Sequence, residues 1–294
     1  MPNLKAIRIR ISSVKSTRQI TSAMKMVSAA KLRKAQDKIV QLKPYVSKLQ
    51  EILTGLNQSL GESDVESVFG RNSEPEKILL VVITSNRGLC GAFNSNVIKE
   101  TKRVIVEKYP DQFDKGNITL LTIGKKGFDY FRRLNIKMLP EKNTLFNNLS
   151  FENCVTVAEG IMNSFVAGEY DRVEIIYNQF KNAAVQYLTD ETFLPVSTGK
   201  LDNKKFQATD YIYEPGKKEI VKELIPKSLK IQFYKAVLDS FVAEHGARMT
   251  AMHKATDNAT TMIRELTLQY NKARQAAITN QILEVVSGAE ALKG

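Results

Sequence analysis

The sequence predicts an α/β protein. Its N- and C-terminal helices form a long antiparallel two-helix coiled coil, and a Rossmann-like α/β domain is inserted between them. Three observations carry that expectation. From Lys227 to Ser287 no proline occurs and Gly246 is the only glycine, so nothing there has to stop a helix. A matching apolar repeat opens the chain, and strand-like and helix-like segments alternate in between.

The C-terminal stretch is about sixty residues, a helical rod of roughly 90 Å. Alternating steps of four and three from Leu238 fall on Val242, His245, Met249, Met252, Thr256, Ala259, Ile263, Leu266, Tyr270, Ala273 and Ala277. Only His245 and Thr256 interrupt an apolar seam of the kind that pairs with another helix. At the other end, Pro2 and Asn3 suit a helix start, and the same count gives Leu4, Ile7, Ile11 and Val14. Between Arg18 and Lys31 the apolar residues slip by one position, to Ile20, Met24, Val27 and Ala30. The register returns at Leu32, Ala35, Ile39, Leu42, Val46, Leu49, Leu53 and Leu56. Pro44 is either carried with a kink or breaks the helix. A compact body between the two helices brings their roots together, which makes the pair antiparallel.

In order along the chain, 1–57 reads as the N-terminal coiled-coil helix and 58–76, rich in Ser, Gly, Asn and acids, as a linker. The α/β domain is expected over 77–198. It opens with a buried strand, Ile78 to Ile83, then a turn from Thr84 to Gly91 and a helix from about Ala92 to Lys108. Ile118 to Ile123 and Val173 to Phe180 read as further strands. Phe128 to Leu134 and Phe151 to Val166 read as helices. Val185 to Val196 alternates as a hairpin broken at Thr189 and Asp190. A polar loop and foot follow over 199–218, and 219–294 forms the C-terminal helix.

At 294 residues and 43% hydrophobic the chain can bury a sizeable core. It has no apolar run of membrane-spanning length and no secretory h-region. Two cysteines, Cys90 and Cys154, make no disulfide framework, so a reducing compartment is expected. The net charge of +12 is unevenly placed. Residues 1–50 hold twelve Lys or Arg against one acid, Asp37, and 227–294 hold nine against six. That leaves 51–226 almost neutral, so the basic N-terminal helix is expected to meet an acidic partner.

The turn from Ser85 to Gly91 stands where an open α/β sheet holds phosphate, yet it has a single Gly-x-x-Gly, and no acid follows in a well-placed second strand to take a ribose. It reads as a tight strand-to-helix turn. Gly124-Lys-Lys-Gly127 lacks the spacing of a P-loop. His245 and His253 have no convergent ligands at metal spacing, so neither metal nor cofactor is expected. No nucleophile elbow and no acid–base carboxylate pair is seen. A nucleic-acid-binding coiled coil and an α/β enzyme with helical arms are the alternatives. Against the first, the basic residues circle the helix and no aromatic side chain precedes Tyr45. The last feature is the C-terminal tip. From Gln275 to Ala289 the only charge is Glu284, and Ile278, Ile282, Leu283, Val285 and Val286 sit almost all round the helix. Such a helix needs a sheath from other chains.

Taken together these residues closely resemble the gamma-subunit family of the bacterial rotary ATP synthase, over essentially the whole chain. The matching stretches are Ile9 to Lys31, Arg87-Gly-Leu-Cys-Gly91, Tyr211-Ile-Tyr-Glu-Pro215, Ala247 to Met252, Ala255-Thr-Asp-Asn258 and Tyr270 to Thr279. The resemblance implies a non-catalytic central shaft, turned by protons or sodium ions, inside a ring of alpha and beta subunits. The shaft's base meets the epsilon subunit and the membrane c ring, on the cytoplasmic face of the bacterial plasma membrane. It implies no small-molecule substrate and no nucleic acid. Residue by residue, it places Met24 and Lys25 against an acidic beta-subunit loop, and Arg248, Gln275 and Thr279 where the ring is caught. Tyr211, Tyr213 and Glu214 would form the foot on the c ring and epsilon, and Ile278, Ile282, Leu283 and Val286 the bearing tip. The chain departs from the family pattern at Asn86, where Asp is frequent, at Ala92-Phe93, and at His253, where lysine is usual. The cysteine insertion of the chloroplast form is not visible.

A chain with neither P-loop nor general base should not bind or hydrolyse ATP by itself. Titration calorimetry of the purified protein with ATP is expected to give no saturable heat, and stoichiometric binding would contradict this reading.

Overall fold

The structure is a computed structural model and describes residues 4–59, 69–70, 74–196 and 216–292. Two helices dominate it: α1, Leu4–Ser59, and α6, Lys217–Ala291. Pro44 and Pro226 both lie inside their helices, so each helix carries its proline, and α6 begins at Lys217, two residues before the start expected at 219.

Between them run β1 (Ile78–Ile83), α2 (Phe93–Lys108), α3 (Pro110–Asp114), β2 (Ile118–Ile123), α4 (Lys125–Phe131), β3 (Lys137–Met138), a short 3-10 turn (Asn143–Phe146), α5 (Phe151–Val166), β4 (Arg172–Phe180) and β5 (Gln186–Leu194). The sheet order is β3-β2-β1-β4-β5. The first four strands are parallel and β5 runs antiparallel to β4. Every residue of β1 and β2 is buried. That is why β1 reads as an unbroken apolar run and β2 departs from one only at Thr119 and Thr122: a parallel strand covered on two faces has no solvent side to alternate with. The expected α/β architecture is therefore present, with two corrections. The short fourth helix starts at Lys125, because Gly124 takes φ 111° and opens it. Residues 186–194 form one strand, with no hairpin at Thr189 and Asp190. Asp190 can sit in mid-strand because Lys108 pairs with it from α2, so its charge is matched where it stands.

The chain divides into two compact units, 29–247 and the pair 1–28 with 248–294. In the larger unit, Ile78, Leu80, Val82, Val97, Val104 and Ile176 form the centre of the core between the sheet and α2. The root of α6 packs against the same unit. Phe233 is fully buried beside Phe193, with ring centroids 5.9 Å apart, and Ala243 lies with Cys90 and Phe93. At Gly246 a Cβ would stand 3.2 Å from Ala183 Cα, so a side chain there would press the loop between β4 and β5 back by a few tenths of an ångström, and glycine spares that strain.

Burial also traps ionisable groups. Glu174 is fully buried on β4 and accepts hydrogen bonds from Tyr109 Oη (2.5 Å) and Arg172 Nε (3.1 Å). Desolvation pushes its carboxyl above the usual range, while the Tyr109 bond and the charges of Lys108 and Arg172 partly oppose that rise. Tyr109 shifts upward for the same reason, burial first and Glu174 second. Asp239, buried on α6, is raised to about 6, mainly by desolvation and further by Glu191, with Lys235 opposing.

Asp239 sets a pH dependence. Its carboxyl ionises near 4 in the unfolded chain and near 6 in the fold, so unfolding releases a proton between those values and stability falls as pH rises from about 4 to about 6. Above pH 6 the full penalty is present, on the order of 1–3 kcal/mol. Asp239→Asn should therefore raise the melting temperature at pH 7 and change it little near pH 4. A variant less stable than the parent at pH 7 in thermal denaturation would refute this account.

Candidate functional site on the paired helices

In the unit formed by 1–28 and 248–294, α1 and α6 meet side by side. Thr21 Oγ1 and Thr256 Oγ1 share a hydrogen bond of 2.9 Å, and Lys25 Nζ lies 3.4 Å from His253 Nδ1. The number rises on α1 as it falls on α6, so the pair is antiparallel. Stepping this register along both heptads sets Ser28 beside Met249, Val14 beside Ile263, Ile11 beside Leu266, Ile7 beside Tyr270 and Leu4 beside Ala273. All ten of these residues are at least half-buried, and their outward neighbours on α6, such as Asn258, Met262 and Leu268, are exposed.

The seam does not slip between Arg18 and Lys31. Ile20 and Val27, expected to face the partner helix, are 59% and 58% exposed, and Thr21 and Ser28 are buried in their place. Ala30 also faces out, while Met24 is half-buried. A continuous helix holds its register at less cost than it could over- or underwind for one turn. Short hydroxyl side chains tolerate seam positions because they satisfy themselves locally. Thr21 Oγ1 is 3.1 Å from the Arg18 carbonyl, Ser28 Oγ donates to the Met24 carbonyl at 2.8 Å, and Thr256 Oγ1 lies 2.8 Å from the Met252 carbonyl. Serine and threonine at heptad spacing were the signal in the sequence for this polar layer, and they leave Ile9, Ile20, Met26 and Val27 on the outer face.

Met24 and Lys25 lie beside that polar layer. His253 Nδ1 is 3.4 Å from Lys25 Nζ and 3.5 Å from Asp257 Oδ2, so the residue that departs from the family pattern is in direct contact with Lys25. When Nδ1 accepts from Lys25 it carries no proton of its own to offer Asp257. Gln275 and Thr279 are exposed one turn apart, with Thr279 Oγ1 donating to the Gln275 carbonyl at 3.0 Å. Arg248 is buried at 7% exposure. It stands about 40 Å along the helix from Gln275, so these three residues do not form one patch. Tyr211, Tyr213 and Glu214 lie outside the described residues.

The register also explains the tip. Leu4 reaches Ala273, so α6 beyond that point runs past the start of α1 as described. From Gln281 to Leu292 every residue is exposed. Ile278 is 49% exposed, Ile282 and Leu283 are each 57% and Val286 is 53%.

The β1–α2 turn offers no cradle. Asn94 Oδ1 accepts from the Ser85 backbone N–H (2.9 Å), Ser85 Oγ donates to the Arg87 carbonyl (2.7 Å), and Cys90 is buried beneath them. The positive φ of Leu89 and Gly91 bends the chain over its own side chains. Asn86 accepts from Lys125 N–H at 3.0 Å and donates to the Asn143 carbonyl at 2.9 Å, a double role that an aspartate could not fill. A Cβ on Gly127 would stand 2.9 Å from Thr84 Oγ1, which accepts that glycine's N–H. Among the described residues, no group of His, Cys, Asp or Glu could hold a metal ion, and no helix is long and apolar enough to cross a membrane.

The family model described as ATP synthase matches residues 3–292. The chain is 56% identical to the ATP synthase gamma chain of Flavobacterium johnsoniae and 55% identical to that of Flavobacterium psychrophilum, covering all of both chains in each case. Among solved structures it is similar to a chain of the central stalk and c ring of Tetrahymena thermophila mitochondrial ATP synthase, with TM-score 0.57 and 26% identity over 80% of this chain and 99% of that one. A chain of Euglena gracilis mitochondrial ATP synthase shares the fold at TM-score 0.67 and 22% identity, over 98% of this chain and 94% of that one.

Cysteines at Val14 and Ile263 should form a disulfide on mild oxidation, while cysteines at Val14 and Met252 should not. The second pair is displaced by eleven residues, about 16 Å of helix. Linkage of the displaced pair, followed on non-reducing gels, would contradict the antiparallel register.

Proposed function

The chain belongs to the ATP synthase gamma-chain family, and from that premise we propose how its surfaces are used. It is the central rotor shaft of the rotary ATP synthase, a non-catalytic subunit that couples ion flow through a membrane ring to conformational change at catalytic subunits. The observation that carries this reading is the antiparallel helix pair whose longer member ends in an apolar tip exposed on all sides. A monomeric protein has no use for such a tip in water, and a surrounding sleeve gives it one.

On this reading the helices 1–57 and 219–294 form the shaft. The linker 58–76 joins the first of them to the α/β domain 77–198, and 199–218 forms the foot. Met24 and Lys25 face an acidic loop of the beta subunits, with Ile20 and Val27 adding apolar surface on the outer side of α1. Gln275 and Thr279 touch the ring near the tip, and Arg248 touches it further down the same helix. Ile278, Ile282, Leu283 and Val286 turn inside a collar of alpha and beta subunits. Tyr211, Tyr213 and Glu214 meet the c ring and the epsilon subunit, which places the protein peripherally on the cytoplasmic face of the plasma membrane. The coupling ion is a proton or a sodium ion. The α/β domain acts as a body and not as an enzyme, in keeping with a β1–α2 turn that is filled by its own side chains.

Replacing both Ile282 and Leu283 with Asp should weaken assembly or coupled ATP synthesis while leaving the melting of the α/β domain unchanged, since neither side chain touches that core. Wild-type assembly and synthesis by the double variant, measured in membrane vesicles, would show that the collar does not read apolar surface at the tip.

A further inference from the structure

Where β4 passes between the end of α2 and the edge strand β5, the α/β domain buries carboxylates on two neighbouring strands. Glu174 pairs with Thr192 across the ladder and Ile176 pairs with Asp190, so Glu174 and Asp190 share one face of the sheet as diagonal neighbours. On the other side of β4, Leu80 stands across from Glu174, so β1 brings no charge. Around the two acids are Arg172 on β4, Lys108 at the end of α2 and Tyr109 directly after it. One further acid, Glu100 on α2, feels the charge of Lys108.

The hydrogen bonds in this cluster are unevenly shared. Tyr109 Oη and Arg172 Nε both donate to Oε1 of Glu174, and Lys108 Nζ donates to Oδ2 of Asp190. Glu174 Oε2 and Asp190 Oδ1 are buried, and neither has a hydrogen-bond partner among the described residues. Lys108 Nζ stands 3.8 Å from Glu174 Oε2, beyond hydrogen-bonding reach. Arg172 Nη2 is taken by Thr192 Oγ1 at 3.1 Å. Two buried acceptors without donors are costly, and a single proton satisfies both: on Glu174 Oε2 it turns that oxygen into a donor toward Asp190 Oδ1. One oxygen that takes both donated bonds, beside another that accepts none, is also the pattern of a neutral carboxyl. Desolvation, the largest influence, favours the neutral form and so does the charge of Asp190, against the Tyr109 bond, Lys108 and Arg172.

We propose that Glu174 and Asp190 hold one proton between them, as a clasp that fastens the edge strand β5 to β4 and opens when the proton leaves. On opening, the O–H bond of Glu174 breaks, its electron pair stays on Oε2 and the proton passes to water. Two carboxylates are then left facing one ammonium, that of Lys108. The same strand sets Phe193 against Phe233 and Glu191 against Gln232 of α6, so the proton governs how firmly the sheet holds the root of that helix. The clasp does not rest on the shaft reading, which stands if the clasp fails.

The test follows the full-length protein by infrared spectroscopy as the pH is raised. Isotopic labelling of glutamate alone keeps Asp239, itself raised to about 6, out of the spectrum. At about pH 6, more than a unit above an ordinary glutamate, a protonated-carboxyl band is expected in the parent and absent from Glu174→Gln. Asp190→Asn should move the loss of that band to lower pH, because a negative neighbour is gone. Hydrogen exchange reads the clasp itself. Over 186–194, corrected for the intrinsic rate, exchange should quicken about tenfold as the parent loses its band. It should stay unchanged in Glu174→Gln, whose amide donates in place of the proton. Melting curves check that both variants fold. If Glu174→Gln does not, the parent's own band and exchange, with Asp190→Asn, still decide. A missing band at about pH 6 overturns the proposal, as does a band whose midpoint ignores Asp190→Asn. Loss of the band with no change of exchange in β5 would mean that the proton fastens nothing, and the clasp is wrong.

Discussion

The constraint on which the rest of the structure depends is that one helix segment, Leu229 to His245, has to satisfy two neighbours at once. Its heptad positions Leu238, Val242 and His245 are buried in the register that pairs with Ile39, Ala35 and Leu32 of α1. Its other face buries Phe233 against Phe193 on β5 and Ala243 against Cys90 and Phe93. Almost no position in the segment is left for solvent, and Asp239 and Ser240 are buried with the rest. An ordinary surface helix keeps a polar side because only a stripe of it is covered. Here polar side chains are carried inward, and Asp239 bears the desolvation that its raised pKa records. Removing a buried aromatic such as Phe233 typically costs about 3–5 kcal/mol, so the joint is costly to loosen.

The same joint sets how closely the α/β domain can approach. Gly246 ends the doubly buried stretch, and the Ala183 backbone fills the space its side chain would have taken. Phe180 lies at the same contact, so the end of β4 and the loop after it are held against the helix. Glu191 on β5 accepts from Tyr177 on β4 at 3.0 Å and from Gln232 on α6. The antiparallel edge strand is thereby tied to the root of the helix by polar bonds as well as by Phe193. As the edge strand, β5 has exposed residues at Tyr187, Leu188 and Thr192 and is buried only at Phe193 and Leu194, where it meets the helix, while β1 and β2 are buried throughout.

Much of this was legible in the sequence, for reasons that differ by element. The heptad beginning at Leu238 held at all twelve positions, each at least half-buried, because periodicity is a property of the backbone and survives a local change of chemistry. The ends of β1, β2 and α5 were legible from apolar runs bounded by turn residues. The α1 seam was misread where the apolar and the geometric patterns diverge: Thr21 and Ser28 keep the register with hydroxyls that bond their own turn, and Ile20 and Val27 face outward. The β5 strand was misread as a hairpin because Asp190 looks like a strand breaker until Lys108 is seen beside it. Two-residue β3 and five-residue α3 are too short for any period to emerge.

The chemistry of the tip differs from that of the seam in a way that bears on rotation. Along the seam, Thr21 with Thr256 and Lys25 with His253 form directional contacts that fix one helix against the other. Hydrogen bonds and ion pairs have preferred distances and angles, so a partner held by them is held at one orientation. The exposed end of α6 offers Ile278, Ile282, Leu283, Val285 and Val286 on most of its circumference, with Glu284 as the only charge between Gln275 and Ala289. Burial of apolar surface is non-directional and depends on area, not on angle. A collar that grips such a helix therefore gains about the same free energy at every rotational position, and no single angle becomes a trap. On the proposed reading the division follows from what each part must do: directional contacts where the two helices must turn as one, and non-directional contact where the shaft must turn against its surroundings.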